Sequence, residues 1–432
     1  MRYRSPSIMQ NISVLLVLLI WLSVASAETL EEAWTIAVTA DHRLQASRLN
    51  VDSGRRVVLA AQSIRLPALS LEGGYTILNN APAAILDEPM AVINRIQTGE
   101  DKSLSYSATL TLPLFTGGRI DSTIASAKST LNSAVQDEAK TLLDLKLQVA
   151  EAYVSVLRAK RLVQVTESNV SSLVSYVHDV SNFYEQGMVT KNDLLAAQVS
   201  LADARQRLTQ SLNSLHIAGA AYNRLLGRPL DRQVDIDELS ANGGSDDFES
   251  MKSRALQKRP ELLSLSEQTS ALQNQAAGIR SAVMPQIYLT GGYSFLQNKY
   301  QVHEDVWSAH IGLKWDIFDG GVSRHNAGAV LQKAEALREV RKDIASLIVL
   351  QVRQAWLAVR ESYERIGVTR EAVSQSEENL KVARNRYREG VGTNTEVLDA
   401  ETLRTKSHAN YYNALYDAVL ADIRLKYVTG DL

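Results

Sequence analysis

Cysteine is absent from the 432 residues, which excludes a disulfide scaffold, thiolate-held zinc, iron–sulfur clusters and cysteine nucleophiles. A dominant sign of charge is also lacking, with 46 Lys and Arg against 48 Asp and Glu. No run of basic residues makes up for that balance, so nothing draws nucleic acid to the chain. Proline is scarce, eight in all, and is missing from 114–228 and from 286–432. Long uninterrupted helices are therefore allowed in both stretches. No apolar run reaches the ~20 residues of a membrane-spanning helix. The hydrophobic share is 45%, that of a folded protein rather than a disordered one.

Catalytic signals are thin. The seven histidines are His42, His178, His216, His303, His310, His325 and His408, and no two have the i,i+4 spacing of a helical zinc site. Gly390-Val391-Gly392 lacks the third glycine of a phosphate-binding loop and does not follow a strand. No Gly-x-Ser-x-Gly elbow occurs. The expectation is no enzyme, no catalytic residue, no cofactor and no metal.

The segment 1–27 stands apart. Arg2 and Arg4 precede an apolar run from Ile12 to Val24 that ends in Ala25-Ser26-Ala27, the pattern of a secretory signal peptide. Beyond it the chain is duplicated. Pro67, Gly73-Gly74-Tyr75 recurs as Pro285, Gly291-Gly292-Tyr293, an offset of 218. Phe115-Thr116-Gly117-Gly118 recurs as Phe318-Asp319-Gly320-Gly321, an offset of 203 that holds on to Gly227 and Gly430. The offset changes once, between Tyr75 and Phe115, so the first copy has the longer loop there. The expected division is a first repeat at 28–230, a linker at 231–247 around Asn242-Gly243-Gly244-Ser245, and a second repeat at 248–432.

Within each copy the hydrophobic period changes. Leu104, Tyr106, Ala108, Leu110, Leu112 and Leu114 alternate with Ser103, Ser105, Ser107, Thr109 and Thr111, which predicts a β-strand with one greasy face. Trp307 to Ile317 alternates likewise, and Leu69 to Ile77 and Ile287 to Phe295 do so more weakly, interrupted by paired glycines. Four strands of about ten residues match the length of a tilted membrane-spanning strand. After Gly118 the period becomes helical: Leu142, Leu145, Val149, Ala152 and Val156 begin a seam that runs to Val180 with spacings of 3 and 4. Its copy begins at Ala345 and runs to Ala383. This is a coiled-coil seam, and the stretch from Gly118 to Gly187 amounts to ~100 Å of helix.

Gly187 and Gly390 fall where each long helix must end in a left-handed turn. Thr190 with Asp193, and Thr393 with Glu396, then open the returning helices as capping boxes. Each copy thus reads as a leading helix, strand, strand, very long helix, tight turn and returning helix. A four-stranded sheet in lipid would leave its edges unsatisfied, and outer-membrane barrels start at about eight strands. Such a chain must oligomerise if it spans a membrane. An envelope adaptor would carry one hairpin in a small β domain, and a structural coiled-coil protein would lack the strands.

The residues resemble the TolC-like outer-membrane efflux proteins from Leu30 to Gly430. The carriers are Leu112-Pro-Leu-Phe-Thr-Gly-Gly118 with its copy Trp315-Asp-Ile-Phe-Asp-Gly-Gly321, and Tyr184-Glu-Gln-Gly-Met-Val-Thr190 with Tyr387-Arg-Glu-Gly-Val-Gly-Thr393 and Glu396-Val-Leu-Asp-Ala400. The resemblance implies a mixed α and β membrane protein. Four transmembrane strands per chain would join in a homotrimeric barrel of twelve strands, continuous with a coiled-coil α-helical tunnel across the periplasm. It implies an exit duct in the outer membrane of a Gram-negative-type bacterium, serving a tripartite efflux or type I secretion system. The partners would be outer-membrane lipid, an inner-membrane transporter and a periplasmic adaptor. The adaptor would meet the turns marked by Tyr184, Gly187, Thr190, Tyr387, Gly390 and Thr393. Glu396 and Asp399 share a helix face, and Asp193 matches Glu396 in the first copy. Ringed by threefold symmetry, these acids would make the tunnel entrance cation-attracting.

Overall fold

The computed structural model describes residues 27–85, 95–241, 243 and 247–432. The signal-peptide segment up to Ser26, and residues 242 and 244–246 of the predicted linker, lie outside the described residues. The elements run α1 (Leu30–Ala40), α2 (His42–Ser63), β1 (Ala68–Ile77), β2 (Ala83–Ile85), β3 (Arg95–Gln97), β4 (Lys102–Phe115), α3 (Arg119–Glu185) and α4 (Lys191–Leu225). The second repeat adds α5 (Phe248–Lys258), α6 (Pro260–Arg280), β5 (Gln286–Leu296), β6 (Asp305–Lys314), α7 (Val322–Arg388) and α8 (Asn394–Thr429). Both long helices have 67 residues, and both begin and end 203 positions apart. The small hairpin of β2 and β3 lies in the longer loop of the first copy.

Two expectations are corrected here. The single leading helix is a pair in each copy. In the first, Asp41 takes an extended backbone and breaks α1 from α2; in the second, extended Arg259 precedes Pro260 at the first position of α6, where proline's missing N–H costs nothing. The last strand ends at Lys314 rather than Ile317. Trp315 leaves the ladder, and its indole N–H donates to the Val283 carbonyl at 3.1 Å.

The chain forms two compact units, and each draws on both repeats. One comprises 43–142 with 249–351 and contains the sheet, antiparallel throughout in the order β1-β4-β5-β6. Its β4 inverts the usual arrangement of a soluble strand. Leu104, Tyr106, Leu110 and Leu114 are exposed, whereas Ser103, Ser105, Ser107 and Thr109 are half-covered. Leu71 at 77% and Trp307 at 79% exposure belong to the same greasy surface. A sheet whose apolar face is the uncovered one is built for lipid. Gly292 interrupts the alternation because a Cβ there would come within 2.7 Å of the Ala108 carbonyl on the paired strand. Below the sheet, Val58 and Ala61 of α2 pack on Ile120, Ile124 and Ala127 at the start of α3.

The other unit comprises residues up to 42, 143–248 and 352–432. It holds the remaining lengths of α3 and α7 with α4, α8 and α1. The segment before α1 is fastened to it: the Tyr153 hydroxyl donates to the carbonyls of Glu28 at 2.7 Å and Asp237 at 2.8 Å. Arg228 grips the Glu28 carboxylate with both terminal nitrogens, at 2.7 and 3.0 Å. Seam residues Leu145, Val149, Val156, Val180, Val352 and Ala383 are buried.

Candidate functional site: the paired helix-hairpin tips

Each long helix must reverse to become its returning helix, and a glycine does so in both copies, Gly187 at φ 72 and Gly390 at φ 74. The amide of Met188 donates to the Phe183 carbonyl at 2.8 Å, and that of Val391 to Arg386 at 3.0 Å. This is the six-to-one bond that closes a helix through a left-handed residue. Met188 and Val391 are exposed at the two apices.

The capping chemistry differs between the copies. Thr190 accepts from the Asp193 amide at 3.2 Å while the Asp193 carboxylate accepts from the Thr190 amide at 3.1 Å, a complete box. Thr393 accepts from the Glu396 amide at 3.2 Å, but the reciprocal bond is absent. The Glu396 carboxylate turns instead toward Arg386, 3.7 Å away, so the second predicted box is only half made. Residues 391–395 contain no Lys or Arg, and the cations at this turn come from the helix before it. Arg386 faces Glu396, and Arg388 reaches Asp179 of α3 at 3.2 Å.

The repeat-related tyrosines also part company: Tyr184 is 39% exposed and Tyr387 only 8%. Tyr387 packs on Tyr176, with centroids 5.7 Å apart, and on Phe183 at 6.2 Å. Leu173, Val180, Ala197, Val397 and Ala400 complete this small core. Tyr387 is therefore core between the hairpins, and of the two repeat-related tyrosines only Tyr184 is exposed. Burial, with the Asp193 carboxylate nearby, raises the Tyr387 phenol above its ordinary pKa. Of the three predicted acids, Asp193 is committed to its cap. Glu396 is shared with Arg386. Asp399 is exposed and makes no ion pair or hydrogen bond among the described residues.

Sequence reasoning missed the polar groups inside the hairpin pair. Asn394 is buried, accepting from the Tyr176 hydroxyl at 2.7 Å and donating to the Asp193 carbonyl at 3.2 Å, so it ties the two turns together. One heptad later Glu401 is 2% exposed. Its carboxylate accepts from Asn169 at 3.1 Å, Ser172 at 2.9 Å, Arg384 at 3.3 Å and Arg404 at 2.8 Å. A buried carboxylate survives only when its lone pairs are filled in this way. The signal was legible in principle, since both residues interrupt the apolar seam of α8 at a spacing of seven.

Among the described residues no group of three or more His, Asp or Glu could hold a metal ion, and no helix is long and apolar enough to cross a membrane. The membrane-facing surface belongs to the strands. A lipid-adapted sheet joined to helical hairpins defines a channel-forming protein of the outer membrane. The comparisons agree: the family model described as outer membrane efflux protein matches residues 36–228 and 252–431. The chain belongs to that family, and it is an exit duct of the outer membrane that extends into the periplasm.

The chain is 24% identical over 427 residues to the outer membrane protein TolC of Vibrio cholerae, covering 94% of this chain and 91% of that one. It is 26% identical over 378 residues to the probable efflux pump outer membrane protein TtgC of Pseudomonas putida, covering 83% and 74%. Its fold is that of the solved outer membrane protein VceC of Vibrio cholerae, with a TM-score of 0.77, 17% identity and coverage of 93% and 96%.

Proposed function

We propose that three copies of this chain close into one duct, take substrate from an inner-membrane transporter through a periplasmic adaptor seated on the hairpin tips, and perform no chemistry. The observation that carries this reading is the four-stranded sheet. Among the described residues its outer strands β1 and β6 each have one unpaired edge, and edges in lipid cost several kcal/mol per unsatisfied group. Three such sheets joined edge to edge would make twelve strands, within the even-numbered range of outer-membrane barrels.

The helices carry the same need. Along α3, Glu151 meets Arg424 of α8 at 2.7 Å and Arg158 meets Asp417 at 2.6 Å. Val165 between these helices is 8% exposed. The matching stripe on α7, 203 residues on, reads Gln354, Glu361 and Val368, and there Val368 is 70% exposed. Duplication makes α4 the counterpart of α8, so the uncovered stripe of α7 is fitted to α4 of a second copy. Such a contact is heterologous, and it yields a ring when its rotation closes. TtgC, by its name, belongs to an efflux pump, which supports the pump and adaptor as partners.

Mass measurement of the detergent-solubilised protein tests the assembly. Three chains per particle with ion conductance in planar bilayers is the expected result. A dispersed monomer that still conducts refutes it.

A further inference from the structure

One face differs sharply between the two repeats. On α3, Ala150, Tyr153, Val154 and Leu157 are all buried, beneath the segment that Tyr153 fastens through Glu28 and Asp237. The same positions of α7 are Arg353, Trp356, Leu357 and Arg360. Both arginines are exposed, and Leu357 is 46% exposed. The guanidinium groups of Arg353 and Arg360 lie 4.8 and 5.0 Å from the Trp356 ring, and Arg353 also lies 5.0 Å from Phe248. Stacking fixes the two cations in place. Neither has an ion-pair partner among the described residues. Seven residues of helix set them ~10 Å apart.

The first repeat presents the complementary charge. An open cleft of about 760 Å³ between α1 and residues 228–235 is lined by Glu28, Glu31, Glu32 and Asp235, with Arg228 and Arg232. Arg228 is occupied by Glu28 at 2.7 Å, and Asp235 lies 3.5 Å from Lys160. Glu32 serves the cap at Thr29. Glu31 is exposed and makes no ion pair among the described residues.

The two surfaces also stand at one level along the helices. Residues 235–238 lie against α3 at Tyr153, Lys160 and Arg161, the counterparts of Trp356, Tyr363 and Glu364. If α4 of a second copy covers the α7 stripe, the segment leaving α4 carries that copy's acidic cleft to the same height as Arg353 and Arg360.

We propose that the Arg353–Trp356–Arg360 face of one copy docks on the acidic cleft around Glu31 of the next, an electrostatic clasp that encircles the duct. The proposal rests on the trimer reading. It adds a contact away from the barrel and from the tips, one that is made only between copies, since the first repeat has covered the equivalent face internally.

The lack of cysteine makes the test unambiguous. Thr35→Cys in the cleft and Leu357→Cys on the α7 face leave every charge of the clasp in place. A short bismaleimide cross-linker added to the solubilised double variant should give covalent dimers and trimers, while each single variant should give none. Adding Arg353→Glu and Arg360→Glu to the double variant should abolish the ladder. The particle mass of every variant is measured in parallel. A three-chain particle without the ladder overturns the clasp and leaves the trimer standing. A ladder that survives the charge reversal overturns the electrostatic basis. A one-chain particle overturns the trimer reading and the clasp with it.

Discussion

Replacing Glu401 with alanine probes whether the buried carboxylate between α3, α7 and α8 holds the tip in register. The carboxylate accepts four hydrogen bonds, two of them from Arg384 and Arg404. Removing one partner of a buried ion pair costs about 3–5 kcal/mol, because the other charge is left uncompensated. The arginine side chains retain 27% and 18% exposure and can partly rehydrate. The cost therefore falls at the low end, about 3 kcal/mol. At about 1.4 kcal/mol per decade, the local opening equilibrium should shift roughly a hundredfold. Hydrogen exchange followed by mass spectrometry reads this directly. Peptides covering 166–180 and 384–404 should exchange faster by that factor, and a peptide within 119–142 should be unchanged. Glu401→Gln keeps the positions of Asn169 and Ser172 but drops the charge, so it should lie between, at roughly tenfold. If Glu401→Ala changes tip exchange by less than about threefold, the carboxylate is not holding the helices and the reasoning fails.

Three further outcomes are expected. Gly187→Val and Gly390→Val place a branched side chain at a left-handed backbone, costing roughly 1–2 kcal/mol each; export should fall while particle levels hold, and normal export in the double variant would remove the tips from the mechanism. Asp399→Asn should lower cation preference in single-channel recordings more than Glu396→Gln, because Glu396 is already partly neutralised by Arg386; the difference should be clearest at low salt, where the Debye length is ~30 Å at 0.01 M, and equal selectivity in all variants would turn these carboxylates away from the lumen. Burial pushes the phenols of Tyr363 and Tyr416 up to about 12, against about 10 in an unfolded chain. The fold favours their neutral form, so that stabilisation is complete below pH ~10 and is lost as pH rises toward ~12. Thermal melts across that window should decline less steeply for Tyr363→Phe with Tyr416→Phe, and an unchanged slope would refute the assignment.

Much of this architecture was legible in the sequence because it is periodic. The alternation from Ser103 to Leu114 specifies a strand whatever it packs against, and seams spaced by 3 and 4 specify long paired helices. The turns at Gly187 and Gly390 were equally local, each following from one residue with access to positive φ. The duplication was visible because both copies carry the same glycines at an offset that changes only once, from 218 to 203. What sequence could not decide was where the copies stopped being equivalent. Thr190 and Thr393 look alike, yet only Asp193 returns the capping bond; Glu396 faces an arginine that lies ten residues earlier and across a turn. Tyr184 and Tyr387 occupy the same repeat position, and only the packing of α3 against α7 buries one of them. Ala150 and Arg353 likewise share a place, but whether that place is covered depends on the segment through Glu28 and Asp237, far away in the chain. Side-chain identity at a repeat position is a local property, whereas burial is set by neighbours brought together from distant sequence. The strands, the long helices and their order therefore followed from the residues alone, whereas the tertiary structure split each leading helix into a pair, added the β2–β3 hairpin, and decided which acids are free, which tyrosine is core and which cations stay exposed.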